Sequence, residues 1–103
     1  MMRLSDELKT SFELYTRAVY NITNKNKKEL FENWNGYDYY DNEFIKANKK
    51  LNYNHTNYPT IDHKISLYHG FENKISPAIL GSIDNLCITK KCINSSKGRN
   101  INI

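Results

Sequence analysis

Three short segments, IDHKI at 61–65, IDNLCIT at 83–89 and INSSKG at 93–98, set charged or amide side chains beside β-branched apolar ones. The first lies within TIDHKISL at 60–67, which suits a short strand and its exit, and Leu86, Cys87, Ile88 and Thr89 suit a second strand. Between them Ser76-Pro77 makes a helix start with proline at the first helical position, and Gly81 supplies the stop. The closing segment from Cys92 onward can begin a helix around Asn94, one that must be short or frayed because so few residues follow. A strand ending in Asp62-His63, a long connection, a returning strand preceded by Asn85 and a helix carrying Asn94 would bring four polar side chains toward one point. The class this predicts is α+β.

Upstream, Leu4, Leu8, Phe12, Tyr15 and Val19 recur at spacings of four, four, three and four, which places them on one face of a helix. Ser5 can cap that helix, and Asp6 and Glu7 suit the positive end of its dipole. Packing on the domain is the ordinary use of such a face. A second, shorter helix is predicted to begin near Asn26, where Glu29 matches a capping-box spacing and Leu30, Phe31 and Trp34 form the apolar side. Asn35-Gly36 then stops it. YDYYDNEFI at 37–45 predicts a hairpin or tight turn at Asp41-Asn42, and the polar, turn-rich stretch 48–59 an ordered surface loop. His55, His69 and Gly70 fall in predicted loops. No internal repeat breaks the chain, which reads as one domain over 1–103, with a helical part over 1–35 and a site-bearing part with its preceding hairpin over 37–100.

At 103 residues a single hydrophobic core is only marginally sufficient. Eight of the aromatic residues are tyrosines, whose polar ends favour a half-exposed boundary or a binding surface. The two cysteines, Cys87 and Cys92, form no CxxC pair and offer neither a disulfide framework nor, with three scattered histidines, a tetrahedral zinc site. No structural zinc is expected. Asp6 and Glu7 stand where a signal peptide needs apolar residues, and the chain has no apolar run long enough to span a bilayer. The expectation is a cytoplasmic protein with no membrane partner. A formal net charge of +4 permits a polyanionic partner without requiring one.

The polar set suits phosphodiester hydrolysis, which needs an activated water, a counterion for charge building on phosphorus, and help for the departing oxygen. Asp62 offers a hard anionic oxygen and Asn94 a neutral one, so together they could hold a hydrated Mg²⁺ or Mn²⁺. An imidazole ordinarily titrates at about pH 6.5, so His63 can take the water's proton near neutrality. Asn85 could accept the Nδ1 hydrogen of His63, leaving Nε2 toward the water. Each residue also has a plainer use: His63 as an ordinary hydrogen-bonded histidine, Asp62 as a turn cap, Asn85 and Asn94 as turn or cap residues.

Taken in order, Asp62-His63, then Asn85-Leu86, then Asn94-Ser95-Ser96-Lys97-Gly98 resembles the HNH nuclease family, whose pattern is Asp-His, an Asn shortly before a strand, and His or Asn at the start of a helix closely followed by Lys. The resemblance covers residues 30–98, with WNGYDYYDNEFI leading into YPTIDHKIS as in small phage-type members. It implies a ββα-metal core preceded by N-terminal helices, with Asp62 and Asn94 on one divalent metal, His63 as general base and Asn85 orienting it. Its site is that of a DNA endonuclease, with double-stranded DNA the expected partner. A phage origin would put the protein in the cytoplasm of a host cell. Many relatives staple this core with zinc knuckles. Here YDYY stands where the first cysteine pair would lie and Lys90 and Ile93 where the second would, so packing of Tyr39, Tyr40, Phe44, Leu86 and Ile88 is expected to replace the metal.

Lys90, Lys91, Lys97 and Arg99 lie beside this set and could contact phosphates, which would make binding salt-dependent. Two further readings use the same residues: an accessory protein that binds DNA on this scaffold without cutting it, and a purely structural or protein-binding domain, which leaves the ordered polar set without a cause. Two copies of the chain could also pair as a homodimer.

Overall fold

The computed structural model describes residues 6–99, and the side-chain environments of residues 9–95. Leu4 and Ser5, and the side chains of Asp6, Glu7, Leu8, Lys97 and Arg99, lie outside that description. The chain runs helix α1 (Asp6–Glu32), a 3₁₀ turn (Lys46–Lys50), strand β1 (Pro59–His63), helices α2 (Leu67–Glu72) and α3 (Pro77–Leu80), a 3₁₀ turn (Ile83–Asn85), strand β2 (Leu86–Lys90) and helix α4 (Lys91–Arg99). The class is α+β.

Helix α1 replaces the two helices expected over the first 35 residues. No Gly or Pro interrupts residues 6–32, so the break predicted near Asn26 needed that side chain to cap a new helix. Asn26 instead donates to the carbonyl of Gly81, 2.9 Å away, and the helix continues. Its predicted face packs inward: Val19 is fully buried, and the rings of Phe12 and Tyr15 meet Phe71 edge-on at 5.2 and 5.7 Å. Gly81 permits this approach, because a Cβ there would lie 2.8 Å from the carbonyl oxygen of Val19.

Helix α2 was not foreseen. Residues 67–72 include Gly70, which weakens helix propensity, yet Ser66 accepts from the His69 amide as an N-cap and the aromatic contacts with α1 hold the helix in place. His69 and Gly70 are therefore helical. The short helix after Ser76 forms as predicted, with the serine accepting from Ala78.

β1 and β2 form a two-stranded antiparallel sheet in the register Pro59↔Lys90, Ile61↔Ile88 and His63↔Leu86. Leu86, Cys87, Ile88 and Thr89 are all buried. Helix α4 follows β2 without a gap and starts at Lys91, slightly earlier than expected. Its first free amides are satisfied by the 52–58 loop: Lys91 donates to the carbonyl of Tyr58 at 2.9 Å and Cys92 to that of Thr56 at 2.8 Å.

The turn before the sheet also forms, with Tyr37 bridged to Phe44 and Asn42 in the left-handed region at φ 61°. Its attachment to the sheet differs from the expected aromatic packing. Tyr39, Tyr40 and Phe44 are exposed, whereas Asp38 is 1% exposed. The Asp38 carboxylate accepts from the Thr89 hydroxyl at 2.9 and 3.0 Å, from the Lys90 amide at 2.8 Å and from the Tyr40 amide at 2.8 Å. A buried anion with this many donors staples the turn to β2. The Tyr39 and Tyr40 rings instead meet edge-on at the surface, with the Lys64 ammonium over Tyr39.

Candidate functional site

Strand β1 positions Asp62 and His63 as neighbours whose side chains leave opposite faces of the sheet. Asp62 lies across from Cys87 and accepts a 2.5 Å hydrogen bond from the Tyr40 hydroxyl on Oδ2. Burial, the Asp62 bond and contact with Cys87, in that order, push the Tyr40 phenol far above its ordinary range, so it remains a donor at any ordinary pH. His63 turns toward α1, where Nε2 lies 2.9 Å from the Thr23 hydroxyl oxygen. Tyr20 stands edge-on to the ring at 5.4 Å. Its phenol is raised by burial and then by the charge of Asp62.

The Thr23 contact turns Nε2 of His63 into the protein. A threonine hydroxyl has one hydrogen, and Thr23 gives it to the carbonyl of Val19, 2.9 Å away. With that hydrogen on Val19, Thr23 is left to accept from an Nε2–H of His63. Nε2, expected to face the water, faces Thr23.

Asn85 is likewise redirected. Its Oδ1 accepts from the Ile65 amide at 2.8 Å, and its Nδ2 donates to the carbonyls of Leu80 at 2.7 Å and Ile65 at 3.4 Å. These bonds pin the start of the connection leaving β1 against its end returning to β2, and the Lys64 amide adds a bond to the Asn85 carbonyl at 2.7 Å. Asn85 therefore fixes the loop that follows His63, where the expected role was to hold the ring itself. The reason is local: buried loop amides and carbonyls need partners, and a side-chain amide in a loop can match both kinds.

Asn94, in the first turn of α4, donates to the carbonyl of Ile61 at 3.0 Å and to the Thr60 hydroxyl at 3.2 Å. Helix α4 is thereby fixed to β1 at the residue before Asp62. The set thus spreads along one strand, with Asn94 level with residues 60 and 61, Asn85 level with 64 and 65, and Asp62 and His63 between. Asp62, His63 and Asn85 are 8%, 7% and 6% exposed.

Of the expected phosphate contacts, Lys90 is committed elsewhere: its ammonium pairs with Asp41 and lies 2.8 Å from Glu43, its side chain only 12% exposed. The Asp41 bond raises the Lys90 ammonium well above its usual range and holds the Asp41 carboxyl below its own. Being at the end of β2, Lys90 points to the acidic turn and not to solvent. Lys91 reaches the Tyr53 carbonyl at 3.3 Å and Asn54 at 3.4 Å, tying down the 52–58 loop. Lys97 and Arg99 belong to α4, with side chains beyond those described.

Thr23, Tyr20, Tyr40 and Asp38 are the site residues that local patterns missed. Thr23 carried one usable signal, since it follows Val19 by four and shares its inward face once α1 is read as continuous. Among the described residues no three His, Cys, Asp or Glu side chains gather as a metal cluster; the pair Asp62 and Asn94 contains only one such residue. No described helix is long and apolar enough to cross a membrane. No family model, curated protein or solved structure matches the chain.

Proposed function

We propose that this protein is a metal-dependent endonuclease that hydrolyses phosphodiester bonds in DNA on a ββα-metal core of the HNH type. The observation that carries the reading is the strand, strand, helix unit in which α4 docks on β1, with Asn94 donating to the Ile61 carbonyl and the Thr60 hydroxyl.

The donor set fits a hard, hydrated cation. Asp62 brings a carboxylate, and Asn94, whose Nδ2 is held by the strand, brings an amide oxygen with no partner among the described residues. These two residues would hold Mg²⁺ or Mn²⁺, and a bound ion would neutralise charge on the phosphoryl group and on the leaving oxygen. His63 would act as the general base, its ring held by Thr23. Asn85 keeps the loop after His63 in one geometry, and Tyr40 positions the Asp62 carboxylate.

Plasmid nicking tests the reading directly. Cutting is expected with Mg²⁺, none with EDTA, and roughly 10²-fold less with His63→Ala; equal cutting in all three would sink the assignment. A second reading, a DNA-binding accessory protein that does not cleave, draws on the burial of Asp62 and His63 and on their bonds to Tyr40 and Thr23. It predicts salt-sensitive DNA binding with no product under any divalent ion.

A further inference from the structure

Between α1 and the 46–58 segment lies a cleft of ≈ 520 Å³ whose floor is Pro59, Thr60 and Ile61 of β1. Lys27, Lys49 and Lys91 line it, together with the rings of Tyr20, Phe31, Tyr53 and Tyr58, and no acidic side chain among the described residues does. Lys27 and Lys49 are exposed and enter no ion pair among the described residues. Lys49 sits over the Phe31 ring at 4.2 Å, while Tyr53 is 69% exposed. The inner wall includes Thr23 and Tyr20, both of which contact His63.

We propose that this cleft binds a single-stranded stretch of DNA and leads it toward His63. The inference takes the DNA-cleaving reading as its premise and adds the form of the substrate. Unopposed ammonium groups attract phosphates, and exposed rings in the same concavity offer faces on which bases can stack. A duplex hides its base faces inside the helix, so rings lining a concave wall would gain nothing from it; an unpaired strand presents them. The volume is that of a small-ligand pocket, enough for about one or two nucleotides at a time. Lys91 already holds the loop that carries Tyr53, so Lys27 and Lys49 are the cations left to meet phosphate.

The test is fluorescence anisotropy of the full chain with a labelled oligothymidylate of about a dozen nucleotides, and with a duplex of equal length, in EDTA so that nothing is cut. Tighter binding of the single strand is expected. In the Lys27→Ala, Lys49→Ala double variant the slope of log affinity against log salt should fall by about 1.4, at about 0.7 for each phosphate that no longer has an ammonium beside it. Tyr53→Ala should weaken single-strand binding roughly 10-fold, and Tyr53→Phe should restore it. All three residues are exposed, so unchanged thermal melting is expected and serves as the folding control. Single-strand affinity and salt slope that match wild type in the double variant overturn the proposal, as does tighter binding of the duplex. Nicking that depends on His63 alongside cleft variants that bind normally refutes the cleft and leaves the nuclease reading intact. Cleft-dependent single-strand binding with no cleavage under any ion supports the cleft and refutes the nuclease.

Discussion

On one face of the β1–β2 hairpin, Ile61, His63, Leu86 and Ile88 point the same way, and α1 brings the hydroxyl of Thr23 to the imidazole. On the other, Asp62, Cys87 and Thr89 meet the 37–44 turn through Asp38 and Tyr40, and hydrogen bonds carry the contact. The first face is mostly apolar; the second is mostly directed bonds. Burial energy is non-directional and tolerates small shifts, whereas a buried polar group left without its partner costs its whole desolvation. Asp62 and His63 are adjacent in the chain yet are held by elements far apart in it. Each can therefore be disturbed while the other stays in place.

The largest effect is expected on the polar face. Asp38→Ala removes the acceptor for the Thr89 hydroxyl and the Lys90 and Tyr40 amides at once, so a loss of about 3–5 kcal/mol is expected, a large share of a small domain's stability. Urea unfolding measures it. A loss below about 1 kcal/mol would show that aromatic packing, and not the carboxylate, attaches the turn.

On the helical face, Thr23→Val keeps the shape and deletes the oxygen that accepts from His63, and a loss of about 1–3 kcal/mol is expected. Thr23→Ser should recover most of it. Carbon and nitrogen shifts of the His63 ring give the sharper readout: the Nε2–H tautomer should dominate in wild type and Thr23→Ser, with a mixed population in Thr23→Val. An Nδ1–H ring in wild type would contradict the assignment made from the Thr23 hydroxyl.

How much of this was legible in the sequence depended on the distance over which each feature is decided. The two strands, the Ser76-Pro77 helix start, the turn at Asp41-Asn42 and the sequence positions of Asp62, His63, Asn85 and Asn94 rest on patterns a few residues long. Asn26 shows the limit: the same side chain can cap a helix or sit inside one, and the carbonyl of Gly81 decides which. Helix α2 needed Phe12 and Tyr15, more than fifty positions upstream, to outweigh Gly70. Asp38 reads as one acid among several in an exposed turn until Thr89 is seen beneath it. Lys90 and Lys91 look alike as a basic pair, yet the change from strand to helix between them sends one to Asp41 and the other to the Tyr53 loop.

Tyr40 lets the two faces be compared through the site itself. Tyr40→Phe removes the donor to Asp62 and leaves the imidazole side untouched, so a loss of about 1 kcal/mol is expected without divalent ions. If Asp62 is a metal ligand, Mg²⁺ should raise the melting temperature of the variant more than that of wild type, because the carboxylate has lost a competing partner. Equal shifts in both proteins would separate Asp62 from the metal.

The smallest effect is expected at the rim of the polar face, where Lys90 clamps Asp41. Asp41 has a folded pKa below its unfolded 3.8, so its contribution is present above that value and is lost as pH falls through the lower, folded one. Lys90 is raised above 10.5, so its contribution is complete below that pH and fades only as pH rises toward the folded value. The clamp should therefore hold steady from mildly acidic to mildly alkaline conditions and open in acid or in strong alkali. Lys90→Met tests this, since the stability gap between wild type and variant should be constant near neutrality and narrow below about pH 4. High salt should shrink the gap at every pH, because the Asp41 end is open to solvent. The Asp38 bonds, being buried, should respond much less to salt, and that contrast would divide the polar face into a screened rim and an unscreened staple.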